Sequence, residues 1–437
     1  MVTTSLSLPE KHKMALLDLS LPEKFRMTRE ASVALCKSLA NEDYGLQGMP
    51  DASPPKWHLA HTTWFFETFI LKPYLAGYQE FNPQFEYLFN SYYNGVGAQY
   101  PRPQRGLLSR PTVKEVYAYR EHVDAAMEQI LNDVHAEQQT IQQSIQHSIQ
   151  ERCELGINHE QQHQELFCTD IKYSFSLNPL YPALNTDRPT ETTIEAKPLE
   201  FLEFDEADVT LGYQGENFCF DNEGPSYRFH QPAFRFANRL TTNAEYLEFI
   251  DAGGYEQPML WLSDGWTWRN TNKIEQPLYW VKKDNAWYEY TLHGLVPLNP
   301  HLPVSHVSYY EADAFARWCN ARLATEQEWE SACYFHDVTP TADKINLHPQ
   351  AGSNGSPIDH MFGGLWQWTQ SAYMPYSGYQ AQSGAIGEYN GKFMCNQMVL
   401  RGSSCVTPPK HARPSYRNFF YPKDRWQFSG IRLANSI

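Results

Sequence analysis

The chain has 437 residues, 42% of them hydrophobic and 14% aromatic, with 35 basic against 50 acidic side chains and a formal net charge of −15. That length exceeds one ordinary core and predicts two domains. The acidic balance argues against nucleic acid or an anionic membrane surface as a partner. No run of about 18 apolar residues offers a transmembrane helix, and MVTTSLSLPEKHKMALLDLS at the N-terminus lacks the uninterrupted apolar stretch and small-residue cleavage site of an export signal. The eight cysteines (Cys36, Cys153, Cys168, Cys219, Cys319, Cys333, Cys395 and Cys405) are scattered without a C-x-x-C pair. In a leaderless chain this pattern reads as reduced thiols and predicts a cytoplasmic protein.

In chain order, LSLPEK occurs twice, at Leu6–Lys11 and Leu19–Lys24. Each copy combines S-x-x-E with a proline in the first turn, the signature of a helix start. Amphipathic spacing predicts helices over about 25–40, 57–74, 112–135 and 139–176. In the last of these, Ile141, Ile145, Ile149, Cys153, Ile157 and Leu166 fall near one stripe. Four long helices predict an antiparallel bundle, a fold that builds metal sites from inward side chains. SLNPLYPALNTDRPTETTIEAKP (Ser176–Pro198) then reads as a linker. Beyond it, short strand-like runs, many Gly and Trp, and two predicted helices (Asn243–Ile250 and Tyr310–Asn320) describe a loop-rich α+β domain.

His159 and His163, in INHEQQHQEL, are four residues apart within a helical pattern. That spacing puts both imidazoles on one helix face, where they can share an ion. H-E-x-x-H is also the zinc-protease signature, with Glu160 as general base. HEQQHQELFCT, however, has neither the glycine nor the third histidine of the extended form, and no helix is evident in the Pro-rich linker to carry a downstream glutamate ligand. An upstream ligand is available in SPPKWHLAHTTWFFETFIL (Ser53–Leu71), a predicted helix with His58 and His61 near its start and Trp57, Trp64, Phe65, Phe66 and Phe69 for packing. His61, His159 and His163 would leave several positions open on an octahedral ion. Such a set suits Fe(II) working with O2 and a sulfur ligand as well as it suits zinc.

WHLAHTTWFFETF and the N-H-E-x-Q-H helix resemble the DinB-like domain of the ergothioneine-pathway sulfoxide synthases. The C-terminal part resembles the formylglycine-generating-enzyme-like, sulfatase-modifying variant of the C-type lectin fold. Its landmarks are RLTTNAEYLEFI (Arg239–Ile250), PVSHVSYYEADAFARWCNARLATEQEWE (Pro303–Glu330), GGLWQWTQSAY (Gly363–Tyr373), VLRGSSC (Val399–Cys405) and RWQFSGIRLA (Arg425–Ala434). The resemblance implies a multidomain α and α+β chain: a DinB-like iron-binding four-helix bundle over residues 1–180, then a C-type-lectin-like substrate-binding domain over 181–437. A formylglycine-generating enzyme holds copper with two closely spaced cysteines after its R-G-G-S motif, whereas here Cys405 has no second cysteine after it.

The activity implied is oxidative carbon–sulfur bond formation. Fe(II) held by His61, His159 and His163, with O2 as co-substrate, would join the sulfur of cysteine to imidazole C2 of hercynine, N-trimethylated histidine. The resemblance implies Tyr92 or Tyr93, in FNSYYNGVGAQYPRPQRGLLSRP (Phe89–Pro111), as proton donor. Branches that use a C-terminal tyrosine would have Tyr373 or Tyr376 as its counterpart. Arg102 and Arg105 would clamp the donor's carboxylate, a task suited to guanidinium's planar fork. Gln162 would reach the hercynine carboxylate or an ordered water. In YRNFFYP (Tyr416–Pro422), Asn418 would make a polar contact while Phe419 and Phe420 border the pocket, aromatic faces suiting a quaternary ammonium. The branch that uses γ-glutamylcysteine has an acidic residue at the position of Phe420 and tryptophan at that of Phe419, so the departure here points to free cysteine. γ-Glutamylcysteine, a selenosugar as in the selenoneine-forming synthase, and a catalytically silent metal-dependent binding module are the competing expectations.

Overall fold

The computed structural model describes residues 19–135, 143–187, 194–340, 344–352 and 357–437. The first LSLPEK copy and positions 139–142 of the fourth expected helix lie outside them. The described chain divides into two compact units. One runs to Leu180 and also contains Gln382–Tyr389; the other comprises Tyr181–Ala381 and Asn390–Ile437.

The first unit is helical. Helix α1, Leu21–Leu35, starts at the second LSLPEK copy, where the Glu23 carboxylate accepts from both the backbone N–H and the hydroxyl of Ser20 at 2.7 Å. It ends short of residue 40, because the amides of Cys36 and Lys37 close tight turns onto Val33 and Ala34. Helix α2, Pro55–Phe66, is buried at every position and continues through a wider π turn, Glu67–Leu71, to a last turn at Lys72–Tyr74. Helices α3, Val113–His135, and α4, Gln143–Ser176, complete the bundle. Helix α1 packs on α4, and α2 packs on both α3 and α4.

A buried ion cluster ties all four helices together. Glu160 of α4 accepts from Arg29 of α1 at 2.7 Å, from Arg120 of α3 at 3.0 Å and from the Ser32 hydroxyl at 2.6 Å. Arg29 also donates to Thr63 of α2 at 2.8 Å and to Asp124 of α3 at 2.7 Å. Burial alone would raise the Glu160 pKa, but the two guanidiniums and the hydroxyl hold it down at about 2. One turn before it, Gly156 permits the close approach of α4 to α2: an added Cβ would lie 2.4 Å from Phe66 Cε1. Glycine disfavours a helix interior by about 1 kcal/mol relative to alanine, yet here it lets the two histidine-bearing helices meet.

The second unit is α+β. One antiparallel sheet orders Phe201–Phe204, Phe234–Ala237, Leu433–Ser436 and Arg322–Leu323; another orders Asn418–Phe420, Met398–Arg401, Trp366–Ala372 and Ser429–Gly430, the last pairing being parallel. The helices Asn243–Asp251 and Tyr309–Trp318 match the expected pair, and each opens on a T/S-x-x-E box, Thr242 with Glu245 and Ser308 with Glu311. Two further helices, Ser263–Asn272 and Glu326–Phe335, correct the expectation of only two. The second is short and buries Glu326, Glu328 and Glu330 along with Trp329, so it shows no polar face to reveal its period. Its acids are neutralised internally. Glu326 takes a two-pronged contact from Arg417 at 2.9 and 3.0 Å, and Glu330 pairs with Arg401. No helix among the described residues is long and apolar enough to cross a membrane.

Removing one partner of the bundle's ion cluster leaves a buried charge short of compensation. Arg29→Met is expected to lower unfolding free energy by about 3–5 kcal/mol, read from urea titration; a loss below about 1 kcal/mol would show that the cluster does not hold the helices. Because the folded-state pKa of Glu160 is depressed, its contribution is complete above the pKa of a free carboxyl and is lost as pH falls towards 2. Glu160→Gln should remove that acid-side slope from the urea midpoint.

Candidate metal centre

Helix α2 supplies His61 and helix α4 supplies His159 and His163. A ligand atom from each lies within 4.8 Å of the others, and the rings sit 4.6–4.9 Å apart centre to centre. His61 Nδ1 lies 2.6 Å from the carbonyl oxygen of Phe89, the end of a one-turn helix, Phe85–Phe89, whose Leu88 carbonyl accepts from Trp57 Nε1 at 3.1 Å. A carbonyl only accepts, so the His61 proton sits on Nδ1 and its Nε2 carries a lone pair. That Nε2 is 3.2 Å from His159 Nε2, while His159 Nδ1 is buried without a partner among the described residues. Burial lowers the pKa of all three rings, His159 to about 3, and the neighbouring imidazoles lower His61 and His163 further. Three neutral imidazoles grouped in this way can hold a metal ion, and a cation between them would satisfy the facing nitrogens together.

His163 Nδ1 contacts His58 Nδ1 at 2.9 Å, and His58 Nε2 contacts Asp170 Oδ2 at 3.1 Å. Glu160 faces elsewhere. As a fully engaged member of the Arg29–Arg120 cluster it has no part in the histidine face. The protease reading of H-E-x-x-H needs that carboxylate free as a base, so the structure removes it.

The Tyr92–Tyr93 turn is built by Asn90, whose side chain accepts from Tyr93 N at 3.0 Å and donates to the carbonyls of Tyr93 and Gly97. The Tyr93 ring is buried against Trp64 and Phe69, and Tyr92 stacks on it with ring centres 4.6 Å apart. Burial holds the Tyr93 phenol well above its usual pKa, with Tyr92 and Tyr389 adding to the rise. Tyr389 was not expected at this site. Its ring lies 5.7 Å from His159 and 6.5 Å from Tyr92, and its hydroxyl donates to Gln162 Oε1. The preceding residue, Glu388, accepts from the amides of Asn94 and Gly95 at 3.0 and 2.6 Å. Tyrosines thus run in a row from His159 to the wall of α2. In the second unit, the Asp221 carboxylate accepts from Tyr379 and Asn390, one on each side of the segment that carries Tyr389. Nothing in the local sequence around Tyr389 signals its place, because the contact is made between residues 227 positions apart.

Arg105 is buried, with its guanidinium 3.4 Å over the Trp57 ring and donating to the hydroxyls of Ser53 and Ser91 at 2.9 and 3.2 Å. Among the described residues its Nε has no partner. Burial draws its pKa well down, Arg102 adds to this, and Asp170 offsets part of it. A buried cation with no paired carboxylate favours an anionic ligand. Arg102, in the same turn, is exposed and donates to the Asp51 carbonyl. The remaining expected residues are in the second unit. Tyr376 is buried, donating to Glu326 at 3.1 Å with Arg417 4.1 Å over its ring. Tyr373 accepts from Asn222 at 2.8 Å. Asn418, Phe419 and Phe420 form a half-exposed edge strand, with Phe419 stacked on Tyr373 at 4.1 Å.

Comparison with known proteins places two family patterns on the chain. The sulfatase-modifying factor enzyme 1-like domain matches residues 203–339 and 343–437, and the DinB superfamily matches residues 24–167. The chain is similar to the hercynine oxygenase of Mycolicibacterium thermoresistibile, 32% identical over 64% of this chain and 67% of the relative. It is equally similar to that of Mycolicibacterium smegmatis, 32% identical over 65% of this chain and 71% of the relative. Similarity to ergothioneine biosynthesis protein 1 of Schizosaccharomyces pombe is 27% over 50% of this chain and 28% of that protein.

His61→Ala, His159→Ala and His163→Ala should each abolish stoichiometric metal retention, measured by elemental analysis after Fe(II) loading and desalting. Undiminished metal content in any one of them removes that residue from the ligand set.

Proposed function

The chain belongs to the hercynine oxygenase family, and from that membership we propose that it is a cytoplasmic, non-haem Fe(II)- and O2-dependent sulfoxide synthase of ergothioneine biosynthesis. It joins the sulfur of cysteine to imidazole C2 of hercynine. The observation that carries this reading is the face of three neutral imidazoles from two helices, with no carboxylate in the set. Among the described residues no fourth His, Cys, Asp or Glu joins that set, which leaves positions for substrates. Iron held there would supply open coordination sites and pass electrons from the substrates to O2. The balance is simple: the C2–H and S–H bonds are lost, one oxygen atom becomes the sulfoxide, and the other leaves with the two hydrogens as water.

The chain's own groups support the remaining roles. Tyr93, whose burial keeps its phenol protonated, or Tyr92 stacked on it is the proton donor, in a row that Tyr389 continues to His159. Gln162, held by the Tyr389 hydroxyl, presents its amide towards the hercynine carboxylate. Arg105, a buried guanidinium without a carboxylate, and Arg102 receive the carboxylate of the sulfur donor. Asn418, Phe419, Phe420 and Tyr376 contribute the substrate-binding segment of the second unit. Phe420 carries no charge to meet a second amino or carboxyl group, which favours free cysteine.

Hercynine, cysteine and Fe(II) together should trigger oxygen uptake, and omission of any one should stop it. Mass analysis with cysteine, γ-glutamylcysteine and a selenosugar in parallel identifies the donor; absence of uptake with all three leaves a metal-dependent binding module. Tyr92→Phe and Tyr93→Phe should each lower sulfoxide yield by about tenfold or more, and full activity in both would transfer the role to another tyrosine. Arg102→Ala and Arg105→Ala should raise the KM for the thiol more than that for hercynine, by about tenfold for Arg105. Equal effects on both substrates would contradict the clamp.

A further inference from the structure

A ring nitrogen that binds a metal must hold its lone pair, so the other nitrogen of that ring must hold the proton. For His61 the Phe89 carbonyl enforces this, because a carbonyl cannot donate. For His163 the neighbour is a second imidazole, His58, whose Nδ1 is 2.9 Å away and can either donate or accept. That contact alone leaves the direction undecided.

Asp170 removes the ambiguity. Its Oδ2 lies 3.1 Å from His58 Nε2 and also accepts the Ser53 amide at 2.8 Å. Both His58 and Asp170 are buried, so no bulk water competes for these contacts. A carboxylate only accepts, which places the His58 proton on Nε2 and leaves its Nδ1 with a lone pair. That lone pair takes the Nδ1–H of His163, and the free lone pair of His163 then lies on Nε2. We propose that His58 and Asp170 are positioning residues that order the protons along Asp170–His58–His163 and so hold His163 in the tautomer that binds metal. The proposal rests on the reading of His61, His159 and His163 as a metal centre. It explains why a buried histidine with no place in the ligand set stands one turn before His61 on α2.

Asp170→Ala is the direct test. One oxygen, Oδ2, meets both the Ser53 N–H and His58 Nε2, so removing the carboxylate frees His58 to carry its proton on either nitrogen. His58 can then donate through Nδ1, and the proton of His163 is no longer held off Nε2. His58→Phe removes the ordering contact while keeping a ring of similar size. The measurement is Co(II) titration of the full-length apo-protein, followed by its ligand-field bands, together with nitrogen-15 NMR of the histidine side chains without metal. Asp170→Ala should weaken Co(II) binding by roughly 10-fold, His58→Phe should weaken it by no more than that, and the His163 Nε2 resonance should move towards the protonated position in Asp170→Ala. If wild type binds Co(II) and His163→Ala does not, but both variants bind as wild type does, the ordering proposal is overturned while the metal centre stands. If wild type itself fails to bind, the metal reading fails and this proposal with it. Should Asp170→Ala not fold, His58→Phe decides, and an unchanged affinity in it overturns the proposal.

Discussion

A carboxylate sealed between two guanidiniums sets the geometry of the bundle. Glu160 draws Arg29 from α1 and Arg120 from α3 onto α4, and Arg29 reaches on to α2 through Thr63. Ionised groups inside a protein are tolerated only when their partners are in place, so this cluster admits one register of the four helices. Gly156, one turn away, removes the side chain that would hold α2 and α4 apart. Charge and contact distance together bring His61 to the face that carries His159 and His163.

The same helix therefore separates two kinds of electrostatics. Glu160 keeps its charge because cations surround it, while the three imidazoles are kept neutral by burial. A glutamate adjacent to a metal-binding histidine is often read as a base. Here its neighbours decide otherwise, since a carboxylate with a depressed pKa and three partners has little proton affinity to offer. Neutral rings with ordered protons are what a metal requires, and the Phe89 carbonyl provides that order at His61.

Beside the histidines the structure gathers phenols and a buried guanidinium that meets no carboxylate among the described residues. The tyrosine row depends on Asn90, which shapes the Tyr92–Tyr93 turn, and on Glu388, which fastens the amides of Asn94 and Gly95 to the segment carrying Tyr389. Arg105 lies over Trp57, and the His61 ring stacks on the same indole 4.5 Å away. One aromatic shelf thus supports a histidine of the candidate metal face and a buried guanidinium at once.

Periodicity and spacing in the sequence determined the four-helix character of the first unit, the second LSLPEK helix start, and the pairing of His159 with His163 on one face, because each depends on residues within a few turns of one another. The helices after Thr242 and Ser308 were likewise legible in the local pattern. The Glu326–Phe335 helix escaped, since it is short and its Glu326 and Glu330 are buried against Arg417 and Arg401, more than 70 positions away, and imitate no polar face. What Glu160 does, which His58 nitrogen bears the proton, and the arrival of Tyr389 beside His159 were decided by tertiary structure alone. Each is a question of which distant group lies within about 3 Å of a polar atom or packs against a ring, and neither composition nor period contains that distance.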